Sequence, residues 1–180
     1  MNILILSGGP RKTGRSALAA NYLASLNDGM ELIDLSDLVL PVYSGEEEQN
    51  HLPEVKKLKE AARKADGFVM ISPEYHGGIS GALKNALDYL GSDYFAHKAV
   101  ALTAVAGGGK GGINTLNQMR TIMRALYANA IPKQLVLDPH CFNREEKTLL
   151  EEPARLINEL LDELQLYTKA GIQIRKEGLR

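Results

Sequence analysis

The sequence predicts an α/β fold, a doubly wound five-stranded parallel sheet with helices on both faces. Two observations carry this expectation. Short uninterrupted apolar runs alternate with runs of helical apolar spacing from one end of the chain to the other, the pattern of strands buried on both faces and of the crossover helices that cover them. The first run, NILILS, also feeds a glycine-rich basic turn, GGPRKTGRS, that opens directly into a helical pattern. At such a junction the unpartnered first amides of a helix face outward.

The elements follow in order. Residues 2 to 7 form the first strand, and Leu18, Tyr22 and Leu26 at four-residue spacing mark a helix that follows the cap candidate Arg15-Ser16. MELIDL at 30 to 35 is the second strand, followed by the polar loop LVLPVYSGEEEQNH. Pro53 suits the first turn of helix two, whose Val55, Leu58 and Ala62 share one face. GFVMIS at 67 to 72 reads as a central strand, Leu83, Leu87 and Leu90 place helix three at 80 to 90, and KAVALTAVA at 98 to 106 is strand four. Ile113, Leu116, Met119, Ile122, Met123 and Leu126 mark helix four, and KQLVLD at 133 to 138 is strand five. The last helix covers about 145 to 170, with Leu150, Ile157, Leu160, Leu161 and Leu164 along one side. Five strands and five helices in strict alternation predict the flavodoxin-like order 2-1-3-4-5, whose ligands lie beyond the carboxyl ends of the strands. The 180 residues suit one compact domain, 1–180, with no internal repeat or linker.

Charge narrows the partners. The chain has 22 acidic and 21 basic residues, so no broad field favours nucleic acid or an anionic membrane surface, and small molecules or further copies of the chain are the expected partners. No apolar stretch reaches membrane-spanning length and no leader pattern precedes the first strand, which points to the cytoplasm. The single cysteine, Cys141, agrees with a reducing compartment. Helix three, with Leu83, Leu87 and Leu90, and the last helix offer more apolar stripe than a five-stranded sheet needs, so the chain is expected to self-associate.

Three glycine-rich loops follow strands one, three and four and should converge at one sheet edge. In the first, Gly8, Gly9 and Gly14 give room, Arg11, Lys12 and Arg15 give charge, and Thr13 and Ser16 give hydroxyls, a set suited to a phosphate. The plainer reading is a loop with solvated basic residues. The second, SPEYHGGISGALKNALDYL, has Gly77, Gly78 and Gly81 where a backbone can lie against a flat ring, and AGGGKGG has the same capacity. Taken singly, Tyr75 is a surface aromatic and His76 a hydrated loop histidine.

Other chemistries fit less well. Gly9 to Ser16 has P-loop spacing, but Arg15 stands where the phosphate-reaching lysine is required. Gly107, Gly109 and Gly112 match a dinucleotide pattern with Asp138 beyond it, yet the match lies past the middle of the chain and leaves two loops without a role. His51, His76, His97 and His140 are scattered and offer no metal site, and Ser72 and Ser80 lack the strained setting of a serine nucleophile.

Taken together, GGPRKTGRS after a strand, LPVY after strand two, PEYHGGISGALKNALDYL, and a glycine-rich loop after strand four resemble the NAD(P)H-dependent FMN reductase family, and within it the azobenzene reductase branch of bacteria. The PEYHG stretch running into GALKNALD is the specific part. The resemblance implies bound FMN, NAD(P)H as substrate, azo compounds, quinones or flavins as acceptors, and a homodimer or homotetramer. It also implies that Gly9, Arg11, Thr13, Gly14, Arg15 and Ser16 hold the FMN phosphate. Pro73, Glu74, Tyr75, His76 and Gly77 would border the isoalloxazine, with Gly107, Gly108 and Gly109 at its other edge. No side chain is expected to act as acid or base, because the flavin carries the chemistry. The chain departs from the family's usual pattern at Gly9, often serine, and at Arg15, often asparagine, so Arg15 either supplies charge to the phosphate or points to solvent. A flavodoxin-like electron carrier or flavin-binding sensor is the competing class, but a carrier steered to basic partners is markedly acidic, and this chain has a net charge of -1.

Overall fold

The computed structural model describes residues 1–109, 111–143 and 145–178. Its central sheet has five parallel strands in the order β2-β1-β3-β4-β5, as expected. They are β1 (Ile3–Ser7), β2 (Met30–Asp34), β3 (Gly67–Pro73), β4 (Ala99–Val105) and β5 (Asn129–Leu137). Strands β1, β3 and β4 are buried at every position, which is why their sequences read as unbroken apolar runs. Side chains alternate between two cores. Leu4 and Leu6 face α2 (Pro53–Lys64), α3 (Gly81–Asp88) and α5 (Ile113–Ala125), whereas Ile3 and Ile5 face α1 (Arg15–Ser25) and α6 (Glu151–Lys176).

Several elements depart from expectation. In α1 the buried face is Ser16, Ala19, Ala20 and Leu23, while Leu18 and Tyr22 are half-buried at its flank and Leu26 lies past its end. Small alanines let the helix approach the sheet closely, so the bulkier residues do not mark the contact face. A short helix, α4 (Ser92–Phe95), was not expected; it sets Phe95 against Phe68 with ring centroids 4.6 Å apart. Ile113 begins α5 but is 54% exposed, leaving the buried face to Thr115, Leu116, Met119 and Met123.

β5 begins at Asn129, before the predicted Lys133. Its pairing with β4 is irregular between Val100 and Leu102, beside Pro132, which cannot donate to the ladder and is tolerated on this edge strand. Arg120 satisfies the displaced carbonyls by donating to Ile131 O at 2.7 Å and Pro132 O at 3.0 Å.

The largest correction concerns the last helix. It runs from Glu151 to Lys176 instead of about 145 to 170, and Leu150 precedes it, exposed. Upstream lies an antiparallel hairpin of β6 (Phe142–Asn143) and β7 (Thr148–Leu149). Asn143 Oδ1 accepts from the amides of Glu145 at 3.0 Å and Glu146 at 3.2 Å, a local bond that turns the chain before a helix can form. Leu83, Leu87 and Leu90 are buried within the chain itself, so they do not provide the free apolar stripe inferred for self-association.

Opposite the ligand edge of the sheet, Lys98 is 8% exposed, donates from Nζ to Ala62 O at 3.1 Å and lies 5.5 Å from the Phe68 ring centroid. Burial, assisted by Arg175, lowers its pKa to about 8 from 10.5. A lysine whose folded pKa is depressed carries a full charge-burial cost below pH 8, and that cost disappears as pH rises towards 10.5. Stability should therefore climb across that interval in the wild type more than in Lys98→Met. Urea unfolding of both proteins at several pH values checks this, and parallel pH profiles would contradict it.

Candidate active site

The three loops do converge beyond the carboxyl ends of β1, β3 and β4. The first is anchored at its start: Gly8 N donates to Ile71 O at 2.7 Å, and Gly8 O accepts from Ser80 Oγ at 2.6 Å. Ser80 in turn caps α3 by accepting from Leu83 N at 3.1 Å, and its own amide donates to Ser72 Oγ at 3.0 Å. A Cβ on Gly8 would fall 2.6 Å from Leu83 Cβ, so only glycine allows the loop to sit so close to α3. Ser72 and Ser80 thus tie two loops together, a role no local motif announces because the partners lie 72 residues apart.

Gly14 precedes α1 with no side-chain cap, and the first turn of the helix holds no acidic residue. Among the described residues its leading amides have no anionic partner, in a place where the helix dipole favours one. Beside them Arg15 Nη1 is buried with no hydrogen-bond partner among the described residues. The guanidinium therefore does not simply extend into solvent, one of the two possibilities left by the sequence. The departure at Gly9 also has a physical reason, since a Cβ there would fall 2.8 Å from Ser16 Cβ. With Ser16 buried at this point, the chain has no space for a serine at residue 9.

A cleft of about 110 Å³ opens here, lined by Gly9, Arg11, Gly14, Arg15 and Ser16 from the first loop, by Pro73, Glu74 and Tyr75 from the second, and by Gly107 from the third. Thr13 lies on the outer side of the first loop. His76 and Gly77 form the tip of a two-residue turn closed by reciprocal 3.0 Å bonds between Tyr75 and Gly78. Both tip residues have positive φ, 52° and 76°, the requirement of a tight hairpin turn, which glycine meets freely and histidine tolerates better than most residues. Gln118 of α5 braces this turn, accepting from Ile79 N at 3.1 Å. Gly108 and Gly109 continue the third loop outside the cleft, Gly108 facing Pro139.

Glu74 does more than border the cleft. Its Oε2 accepts from the amides of Gly112 at 2.9 Å and Thr115 at 3.2 Å, capping α5 across 38 residues of sequence. The anion position at the head of α5 is thereby filled by a side chain, which disposes of a dinucleotide site built on Gly107, Gly109 and Gly112. Cys141 is buried, and burial raises its thiol pKa, the opposite of an activated nucleophile.

A family model described as NADPH-dependent FMN reductase matches residues 1–142. The chain belongs to that family. Among FMN reductase relatives, it is 49% identical over 177 residues to the NADPH azoreductase of Bacillus sp. (strain OY1-2), covering 98% of each protein. It is 33% identical over 157 residues to the FMN-dependent NADPH-azoreductase of Staphylococcus aureus (strain USA300), covering 81% of each. The FMN reductase fold is also similar to FerB, a flavoenzyme NAD(P)H:(acceptor) oxidoreductase from Paracoccus denitrificans, with a TM-score of 0.73 at 18% identity over 96% of this chain and 97% of that one.

Proposed function

We propose that this chain is an FMN-dependent NAD(P)H oxidoreductase that passes electrons from a nicotinamide cofactor to azo compounds, quinones or flavins, with residues 1–180 acting as one FMN-binding domain. The observation that carries this reading is the buried, unpartnered Nη1 of Arg15 beside the uncapped start of α1. A phosphate dianion supplies the acceptor that both lack. The names of the azoreductase relatives support the same assignment.

In this reading Gly9, Arg11, Gly14, Arg15 and Ser16 would hold the phosphate from inside the cleft, while Thr13, expected from the sequence to join them, faces the outer side of the same loop. At about 110 Å³ the cleft would take the phosphate end alone. Pro73, Glu74 and Tyr75 border the isoalloxazine, His76 and Gly77 cover its outer edge, and Gly107, Gly108 and Gly109 close the other. Bound FMN would supply the two-electron redox chemistry that links nicotinamide and acceptor. The chain's own residues place and polarise. Loop amides favour the negative charge that develops on the ring, Glu74 fixes two loops against each other, and Tyr75 and His76 line the acceptor side.

The partners are small molecules and further copies of the chain, as a homodimer or homotetramer, not nucleic acid or membrane. Val39 and Val42, 72% and 83% exposed on the loop after β2, are apolar side chains left uncovered that a further copy of the chain would bury. That loop is held to α3 by Asn85, which accepts from Tyr43 N at 2.9 Å and donates to Pro41 O at 2.8 Å. A cytoplasmic setting accords with the lone cysteine, and no described helix is long and apolar enough to cross a membrane.

Steady-state assays pairing NADPH or NADH with an azo dye, a quinone and free FMN test the proposal. The expected outcome is turnover that disappears when FMN is stripped and returns on reloading, with parallel double-reciprocal lines, because both substrates use one exposed ring face. Yellow protein that oxidises neither nucleotide with any acceptor would favour the electron carrier or sensor.

A further inference from the structure

Outside the cleft, on the other side of the first loop, lies a second and larger concavity of about 590 Å³. One of its walls is the basic loop itself, and the other is the β6–β7 hairpin, an element the doubly wound sheet does not require. Arg11, Lys12 and Arg15 line one side and Lys147 the other, with Leu18 and the buried Phe142 between them and no acidic side chain among the described lining residues. Arg11 and Lys147 make no ion pair among the described residues, and Lys12 pairs at 2.7 Å with Asp37 in an exposed contact, 73% and 66% accessible. Exposed pairs of this kind contribute little and rearrange readily for a stronger anion. The groove shares Arg11, Gly14 and Arg15 with the cleft, so one loop offers an anion position on each of its sides.

We propose that this groove receives the 2′-phosphate of NADPH while its nicotinamide reaches the exposed flavin ring, so that Lys12 and Lys147 select NADPH over NADH. The inference rests on the flavin reading above, because the FMN phosphate fills the inner position and leaves the outer one for a second dianion. The two nucleotides differ only in that phosphate, and clustered ammonium groups discriminate a dianion from a hydroxyl by charge. Leu18 and Phe142 give an apolar floor on which the adjoining adenosine can rest.

The test uses FMN-loaded protein, with Lys147→Ala and the double variant Lys12→Ala/Lys147→Ala. KM for NADPH should rise about fivefold in the single variant and more than about tenfold in the double, as expected for lost charge-assisted contacts in partly exposed sites. KM for NADH and the affinity for FMN should stay unchanged, and Lys147→Arg should restore most of the NADPH preference. Calorimetry supplies a readout independent of turnover: 2′,5′-ADP should bind more tightly than 5′-ADP, and the difference should shrink as ionic strength rises. Equal binding of the two nucleotides would overturn the proposal. Loss of FMN affinity in Lys147→Ala would assign the groove to the flavin phosphate instead, and a rise in KM for a sulfonated azo dye alone would assign it to the acceptor. FMN content is read separately from visible absorbance. Failure of the flavin reading therefore leaves colourless protein that still prefers 2′,5′-ADP, whereas failure of the groove leaves yellow protein that binds both nucleotides alike.

Discussion

Arg15→Met is expected to weaken FMN binding by about 1.5–3 kcal/mol, roughly 10- to 150-fold, the range for a charged hydrogen bond in a partly desolvated site. The same substitution should leave the apoprotein as stable as the wild type or more so. The reason is the buried Nη1, which has no hydrogen-bond partner among the described residues. An unsatisfied buried donor destabilises the folded chain, and methionine keeps most of the packing volume while removing the charge. FMN titration by fluorescence quenching and urea unfolding of apoprotein measure the two effects. Opposite signs are the signature of a residue retained for a ligand at some cost to the fold. Unchanged FMN affinity would remove Arg15 from the phosphate site.

Glu74→Ala should destabilise the protein by about 2–3 kcal/mol, because it withdraws a charged acceptor from two amides at the start of a helix. Glu74→Gln should recover roughly half of that loss, since an amide oxygen still accepts but carries no charge to oppose the dipole. Both variants should bind FMN more weakly than the wild type. The carboxylate joins the segment that borders the cleft, Pro73 to Tyr75, to the loop that ends at Gly112. Urea unfolding of the apoproteins separates the stability effect from the binding effect. A change below about 0.5 kcal/mol in Glu74→Ala, the level of an ordinary surface substitution, would show that solvent replaces the cap.

The sheet was legible because its inner strands are buried on both faces and so carry no polar interruption. Where the reading failed, a local chemical cause can be named. Alanines in α1 pack more closely than the larger residues that mark its flank, Pro132 disguised the start of β5, and the Asn143 side chain turned the chain where a helical pattern had been drawn. The candidate site was legible to the extent that it is made of backbone, since glycine-rich turns after parallel strands announce themselves. The side chains that assemble those turns were not. Ser80 reaches Gly8 across 72 residues and Glu74 reaches Gly112 across 38, and no periodicity or short motif encodes a contact at such separation.

Anaerobic stopped-flow absorbance decides whether nucleotide and acceptor react with the flavin in separate steps. Purified FMN-loaded protein mixed with NADPH alone should lose its yellow colour, and a second mixing with an azo dye or a quinone should restore it, with each half running without the other substrate. That sequence follows from a single exposed ring face used in turn by nucleotide and acceptor. Reduction that occurs only when the acceptor is already bound would contradict the account, requiring both substrates to be present together and a second acceptor position beside the flavin.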